Sequence, residues 1–171
     1  MLYVLDTNVL ITARDQYYDF NIVPEFWDWL LYQATCKQVG LPTEVIEEVL
    51  DGSDQKGKDK LYAWTRDKAN RTALEMGAAN YEAVQHVLTV GYSATLTSEQ
   101  IESRGADPFV VAHALVEKAA RCVVSNEVSK PRKEPHNRPI PDAAALVGVR
   151  CISTFEFVRE LQFCTMWRML L

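Results

Sequence analysis

Short apolar runs rich in β-branched residues alternate along this chain with longer stretches whose apolar residues recur every three or four positions. Runs of the first kind are typical of buried strands, and spacing of the second kind is typical of amphipathic helices. The strand-like runs are residues 3–5, 39–42, 121–125 and 149–152. Intervening helices imply crossover connections and a sheet covered on both faces. The pattern predicts a three-layer α/β/α fold with a central, mainly parallel sheet of four to five short strands.

Proline and capping residues mark the predicted helix starts. Pro24 and Asp107-Pro108 each precede a stretch with helical spacing. Proline fits the first turn of a helix, and aspartate is a common N-terminal cap. Thr43 is expected to cap the helix after the second strand, and Ser153 or Thr154 the last helix. Residues 54–90 carry helical spacing almost throughout.

Length and composition predict one domain over residues 1–171, of which 48% are hydrophobic. No apolar stretch reaches the length of a membrane span, and the chain begins with a strand-like run rather than a signal peptide. Four scattered cysteines favour reduced thiols. We therefore expect a cytoplasmic protein with no membrane attachment. Its apolar C-terminal stretch, residues 162–171, either packs on the domain or forms an interface.

The formal net charge of −5 has the wrong sign for a protein that is held on nucleic acid by charge alone. It does not exclude an enzyme of nucleic acids, because acidic residues gathered at a metal site add to the negative sum.

Acidic and amide residues stand where the predicted strands end, which is where ligands bind in parallel α/β sheets. They come from four separate segments: Asp6; Glu44, Glu47 and Glu48; Asp107; and Ser125, Asn126 and Glu127. Taken singly, each acid has a commoner structural role as a helix cap or a solvated charge. Taken together, their oxygens are the ligands that Mg²⁺ and Mn²⁺ prefer. The sequence therefore predicts a metal site at this edge.

Four segments of the chain resemble the motifs of one known family. VLDTNVLI, LPTEVIEEVL, DPFVVAHAL and VVSNE are similar, in order and spacing, to the four motifs of the PIN domain, and the closing CISTFEFV fits as well. The resemblance implies a PIN-like fold and a metal-dependent endoribonuclease with RNA as its substrate. Many small PIN proteins are similar to VapC-type toxins, so it also implies a small antitoxin partner and a homodimer. Other members act in rRNA maturation or RNA decay.

The resemblance assigns four acids to metal binding and catalysis with Mg²⁺ or Mn²⁺, as one ion or two: Asp6, Glu48, Asp107 and Glu127. It assigns supporting roles to residues beside them: Thr7, Asn8, Glu44, Ser125 and Asn126. The fourth motif departs from the family, which usually has Asp or Asn in a TxD/N setting. Glu127 takes that place here with a longer side chain, and Asn126 is the alternative ligand.

A cationic surface must hold the phosphate chain if RNA is the substrate. The loop of residues 126–139 follows the fourth motif and supplies Lys130, Arg132, Lys133, His136 and Arg138, while Arg14 is expected to face the cleft from the first motif. A second basic group is better explained as solvated charge: Lys56, Lys58, Lys60, Arg66, Lys68 and Arg71. The aromatic residues after Pro24 could stack on bases, but their helical spacing favours the core.

Two other interpretations stay open. The departure at Glu127 and the negative charge are compatible with a catalytically weak or inactive PIN-like scaffold that binds RNA or a protein. An aspartyl-phosphate enzyme also gathers aspartates in an α/β fold, but it commonly shows DxD after the first strand. The chain has Asp6-Thr7-Asn8 there, which makes this interpretation weaker.

Overall fold

The computed structural model describes residues 1–52 and 59–171 of the chain. Within these ranges four strands form one sheet in the order β2-β1-β3-β4, and every pairing is parallel. The strands are β1 (Leu2–Leu5), β2 (Val39–Gly40), β3 (Arg121–Val124) and β4 (Cys151–Ile152). Helices flank the sheet, so the prediction of an α/β fold with a parallel central sheet is confirmed.

Helices account for most of the remaining ordered structure in the described ranges. They are α1 (Thr7–Thr12), α2 (Pro24–Thr35), α3 (Thr43–Asp51), α4 (Lys60–Arg66), α5 (Lys68–Leu74), α6 (Tyr81–His86), α7 (Ser98–Glu102), α8 (Asp107–Leu115), α9 (Ile140–Leu146) and α10 (Thr154–Glu160). Two π-helical segments, Ala13–Tyr17 and Val87–Ser93, continue α1 and α6 directly. Within the described residues, no helix has the length and apolar character needed to cross a membrane.

The core lies around β1, which is the inner strand between β2 and β3. Val4 and Leu5 are fully buried, as expected for a parallel strand covered on both faces. Large aromatic residues of α2 pack into the same core, and the Tyr3 ring meets Phe157 of α10 edge to face at 5.2 Å between ring centroids. The buried residues of α2 include Phe26, Trp27 and Trp29. Their helical spacing therefore marks the core, and they do not form a stacking surface for bases.

Two predicted helix caps are wrong, and one is confirmed. The N-cap of α3 is Pro42, while the Thr43 hydroxyl donates a hydrogen bond to Glu75 instead (3.1 Å). Asp107 is the first residue of α8 and makes no capping bond, because an N-cap side chain must precede the helix to accept from its second or third amide. Ser153 caps α10 in a reciprocal capping box.

The predicted helical stretch of residues 54–90 is divided into shorter helices in the part that the structure describes. Asp59, Asp67 and Asn80 each accept backbone N–H groups and start α4, α5 and α6. These polar caps decide the boundaries, because they satisfy amides that would otherwise lack partners at each helix start. The predicted basic residues Lys56 and Lys58 lie outside the described residues.

The C-terminal stretch is partly packed on the domain. Trp167 is buried, and its indole N–H donates to the backbone carbonyl of Glu25 (3.2 Å). Other apolar residues of the stretch are exposed: Met166, Met169, Leu170 and Leu171. The stretch therefore packs on the domain at Trp167, and an interface formed by its exposed residues stays a prediction.

We predict that Ser153→Ala lowers the free energy of unfolding by about 1 kcal/mol, because it removes the hydroxyl that caps α10. Urea denaturation of the purified protein measures the change. Ser98→Ala, at the first position of the exposed helix α7, is the matched serine control and should change stability by less than about 0.5 kcal/mol. Equal effects of the two substitutions would contradict this assignment.

Candidate metal centre

Asp6 lies at the carboxyl end of β1 and is only 3% exposed. It holds the N-cap position of α1, but its carboxylate makes no capping bond. The Ser125 hydroxyl donates to its Oδ2 atom (2.9 Å). The pKa of Asp6 is raised to about 7, mainly by burial and also by the charges of Glu127 and Glu48, while the hydrogen bonds from Ser125 and the Thr7 amide oppose this shift. Asp6 is therefore a buried acid close to two other carboxylates.

Asn8 and Ser125 form a network that fixes Asp6 in place. The Asn8 amide nitrogen donates to Ser125 Oγ (3.3 Å), and Asn8 Oδ1 accepts from the Asn126 backbone N–H (3.0 Å). Ser125 Oγ also accepts from the Glu127 backbone N–H (3.2 Å). Asn8 thus acts on Asp6 through Ser125 rather than by direct contact. Such outer-shell hydrogen bonds orient ligands in metal sites.

Glu48 faces this network from α3. The Thr7 hydroxyl donates to Glu48 Oε2, so the two predicted residues are in contact. The other oxygen, Oε1, lies 2.8 Å from where a Cβ atom would stand on Gly105, whose φ of +51° also favours glycine. Glycine at this position therefore leaves space for the Glu48 carboxylate beside α8.

Glu44 lies one turn earlier on α3. Its Oε2 atom is buried and has no hydrogen-bond partner among the described residues. Burial raises the pKa of Glu44, and the neighbouring Glu47 adds to that shift. The acids that act on Asp6 and Asp107 are Glu48 and Glu127 instead. The structure gives Glu44 no described contact with the centre.

Asp107 brings a second, partly buried carboxylate to the centre from the first turn of α8. Its pKa is raised to about 8, mainly by burial and then by the charges of Asp6, Glu127 and Glu48, against the lowering effect of Arg104. Four acids from four segments of the chain therefore repel one another here. Like charges gathered in a buried place are destabilising unless a proton or a cation offsets them.

The fourth motif is arranged differently from the expectation. Glu127 is exposed, and its Oε2 atom accepts the backbone N–H of Ile140 (2.6 Å), where α9 begins. The single side-chain oxygen of Asn126 accepts from the Thr154 hydroxyl (2.7 Å) and backbone N–H (3.4 Å). A backbone N–H can only donate, so this oxygen is committed to α10. Asn126 as the alternative fourth ligand stays a prediction, and so does Glu127, of which one oxygen is engaged by Ile140.

Two residues of the centre were missed from the sequence. Tyr92, in the second π-helical segment, is 3% exposed, and its hydroxyl has no partner among the described residues. Burial, Asp107, Glu127 and Asp6 all raise the pKa of Tyr92 far above its ordinary value. Arg104 also has a buried, unpartnered Nε atom. The position of Arg104, three residues before Asp107, could have indicated from the sequence that it lies near the centre. No feature of the sequence distinguishes Tyr92 from the other tyrosines.

The donor set fits a hard divalent cation. Among the described residues, no three acidic, histidine or cysteine side chains enclose a metal position by themselves. Mg²⁺ nevertheless needs only one or two carboxylates, because it keeps several water ligands. Asp6 supplies a buried carboxylate and Asp107 a partly buried one, and the exposed residues Glu48 and Glu127 leave access for water. The unpartnered Tyr92 hydroxyl is a further polar group beside these acids.

The basic residues predicted to bind RNA divide into two groups. Arg14 forms ion pairs with Asp15 (2.6 Å) and Asp59 (2.9 Å). Arg138 donates to the backbone carbonyls of Gly91 and Tyr92, so it holds the second π-helical segment. Each guanidinium thus already has partners within the fold, and the RNA-binding roles of Arg14 and Arg138 stay predictions. The remaining three residues are exposed on the loop: Lys130, Arg132 and Lys133.

Comparison with known proteins assigns a family but no activity. A family model described as a domain of unknown function (DUF4411) matches residues 3–165. The chain belongs to this family. No curated protein and no solved structure matches it. The DUF4411 match includes every residue of the centre, so the centre lies within the part of the chain that defines the family.

We predict that the metal-free protein loses stability as the pH rises from about 5 to about 8. The folded state keeps protons on Asp6 and Asp107 up to pKa values of about 7 and about 8, while the unfolded chain releases them near their ordinary values. In this window each carboxyl can lower the free energy of unfolding by up to about 1.4 kcal/mol for each unit by which the pH rises. Thermal unfolding in EDTA across the window measures the slope.

The double substitution Asp6→Asn and Asp107→Asn should flatten this dependence, and Mn²⁺ should raise the melting temperature of the wild type most at the alkaline end. Glu47→Gln, which alters an exposed acid of α3, should leave the slope unchanged. A wild-type melting temperature that does not fall with pH would contradict the burial of these charges.

We also predict that Tyr92→Phe raises the stability of the metal-free protein by about 1 kcal/mol, because it removes a buried hydroxyl that lacks a partner. Urea denaturation in EDTA measures the change. Tyr81→Phe, on a tyrosine that is 75% exposed, is the matched control and should have no effect. Destabilisation by Tyr92→Phe would show that the hydroxyl does have a partner in the folded protein.

Proposed function

We propose that this chain is a Mg²⁺- or Mn²⁺-dependent endoribonuclease. The observation that carries the proposal is the meeting of the buried carboxylate of Asp6 and the partly buried carboxylate of Asp107 from distant parts of the chain. Glu48 and Glu127 add negative charge close to both. The resemblance of the four motifs to the PIN domain supports RNA as the substrate, since carboxylates alone would serve DNA equally well.

The chain's own residues have separate tasks in this mechanism. Asp6 and Asp107 would hold the cation, and Ser125 keeps Asp6 oriented toward it. When bound, the cation supplies a water of lowered pKa and stabilises charge on the leaving oxygen. Glu48 and Glu127 are exposed, and each uses one oxygen in a contact within the fold. Their second oxygens remain for positioning the attacking water.

Histidine has no evident part in the reaction. His113 is buried in α8, and burial followed by the charge of Arg121 lowers its pKa. Its backbone carbonyl accepts a hydrogen bond from Arg121 (2.8 Å). Neither Asp6 nor Asp107 contributes to the pKa shift of His113. His113 is therefore a residue of the packed interior.

The proposed biological role is the toxin of a toxin–antitoxin pair acting in the cytoplasm. The role follows from the resemblance to VapC-type proteins, and the exposed apolar residues of the C-terminal stretch support a protein-binding surface there. A small antitoxin and a second copy of the chain are the proposed partners. The exposed cations Lys130, Arg132 and Lys133 are the proposed contacts with the RNA backbone.

A PIN-like scaffold without catalysis is the second candidate. It is favoured by the hydrogen bonds that engage Glu48 with Thr7 and Glu127 with the Ile140 amide. In this candidate the contacts hold both glutamates in structural roles, so that Asp6 and Asp107 would be the protein ligands of any cation. Such a protein would bind RNA or a protein partner and would show little or no cleavage.

We predict that the purified protein cleaves single-stranded RNA only when Mg²⁺ or Mn²⁺ is added. Asp6→Asn and Asp107→Asn should each lower the cleavage rate by more than about 100-fold, since loss of outer-shell partners alone costs 10–100-fold in metal sites. The rate is measured with a labelled RNA by gel electrophoresis.

Glu47→Gln is the control on α3, because this acid is exposed and does not belong to the centre; Glu48→Gln is the matched test on the same helix. Unchanged cleavage in both aspartate variants would refute the proposal. Mn²⁺ binding by calorimetry without any cleavage would instead favour the scaffold.

A further inference from the structure

A cavity of about 620 Å³ opens at the carboxyl ends of β3 and β4, next to the metal centre. Ser125, Asn126 and Glu127 line this cavity, and so do the aromatic residues Tyr17 and Phe155. Ligand sites in proteins commonly have volumes of about 300–1,000 Å³. The cavity is therefore large enough for one nucleotide unit beside the acids.

Tyr17 and Phe155 present an exposed aromatic surface to this cavity. They are 45% and 46% exposed, and their rings meet edge to face with centroids 5.1 Å apart. Most other aromatic rings near them, such as Phe26 and Phe157, are buried in the core. Half-exposed rings at a cavity leave apolar area in water, which a flat ligand could cover.

The backbone holds both rings in position. Tyr17 ends the π-helical segment Ala13–Tyr17, in which the Tyr18 N–H donates back to the Ala13 carbonyl (2.7 Å). π-Helical segments are rare in proteins as a whole, and those that occur often lie at functional sites. Phe155 lies in the first turn of α10, where the capping box of Ser153 and Glu156 fixes the helix start.

The basic loop begins at the same cavity. Val128 and Ser129 line the cavity, and Lys130 follows them directly. Asp142 of α9 fixes this junction, because it accepts from the Ser129 hydroxyl and from the Lys130 backbone N–H (2.6 Å). The backbone at the start of the basic loop is thus anchored next to the cavity lining. Stacking platforms combined with a cationic path are the usual means of holding single-stranded nucleic acid.

We propose that this cavity binds one unpaired base of a single-stranded RNA on the Tyr17–Phe155 surface, with the adjoining phosphate directed to the metal centre. The inference deepens the proposed function, on which it rests, by specifying an unpaired substrate. A base in a duplex is stacked on both faces and could not reach this surface. The flat rings and neighbouring cations favour a nucleotide over a polypeptide as the occupant.

The test is equilibrium binding of a short fluorescent single-stranded RNA, measured by anisotropy in Ca²⁺ with magnesium and manganese absent. Tyr17→Ala and Phe155→Ala should each weaken binding by about 5- to 150-fold, which is the range that stacking on one base implies. Tyr17→Phe and Phe155→Tyr keep a flat ring and should retain wild-type affinity. Tyr81→Ala removes an exposed tyrosine far from this cavity's lining and should also leave binding unchanged.

The same RNA annealed to its complement should bind at least about tenfold more weakly than the single strand, because its bases are not available for stacking. Circular dichroism and thermal unfolding confirm that each variant is folded. Wild-type affinity in both alanine variants, equal affinity for single strand and duplex, or no RNA binding by the wild type would each overturn the inference.

The failures of the two proposals are distinguishable. If the wild type cleaves RNA with Mn²⁺ but the alanine variants bind normally, the base site is refuted and the ribonuclease proposal stands. If the alanine variants lose binding but the wild type never cleaves, the base site stands and the ribonuclease proposal fails.

Discussion

The hydrogen bond from the Ser125 hydroxyl to the Asp6 carboxylate is the contact on which the rest of the centre depends. Parallel pairing places Leu5 beside Val124, so the next residues along β1 and β3 meet where both strands end. The bond orients a carboxylate that is almost entirely buried. The same serine oxygen meets Asn8 and the Glu127 amide, so one hydroxyl connects the first motif to the fourth.

The negative charge of the gathered acids favours a bound cation at this centre. Burial and mutual repulsion raise the pKa values of Asp6 and Asp107, so at neutral pH the metal-free fold must either retain protons or tolerate unpaired charge. Arg104 offsets part of this charge at Asp107. A divalent cation would offset more, and oxygen ligands suit Mg²⁺ and Mn²⁺ better than the softer metals that cysteine and histidine select. The electrostatic cost in the fold is thus the physical argument for a metal.

Two π-helical segments each place a tyrosine near the acids. Tyr92 lies close to Asp6 and Asp107, and Tyr17 lines the open cavity together with Glu127. Arg138 holds the second of these segments, Val87–Ser93, by its backbone carbonyls, which explains why a basic residue of the loop is bonded within the fold. The exposed part of the loop, from Lys130 to Lys133, keeps its charge at the surface.

The sequence by itself determined the sheet, the order of its elements and the acids at its edge. Apolar runs define buried strands locally, and crossover geometry then makes their carboxyl ends converge, so Asp6 and Asp107 could be paired without coordinates. Only the tertiary structure decided which polar atoms are already engaged. Asn126 is bound by α10, Arg14 by Asp59, and Arg138 by backbone carbonyls. Those partners lie far away in the sequence, and no local pattern encodes a contact between distant elements. For the same reason Tyr92, a tyrosine in an unremarked segment, became part of the centre only when its helix packed beside α8 and α9.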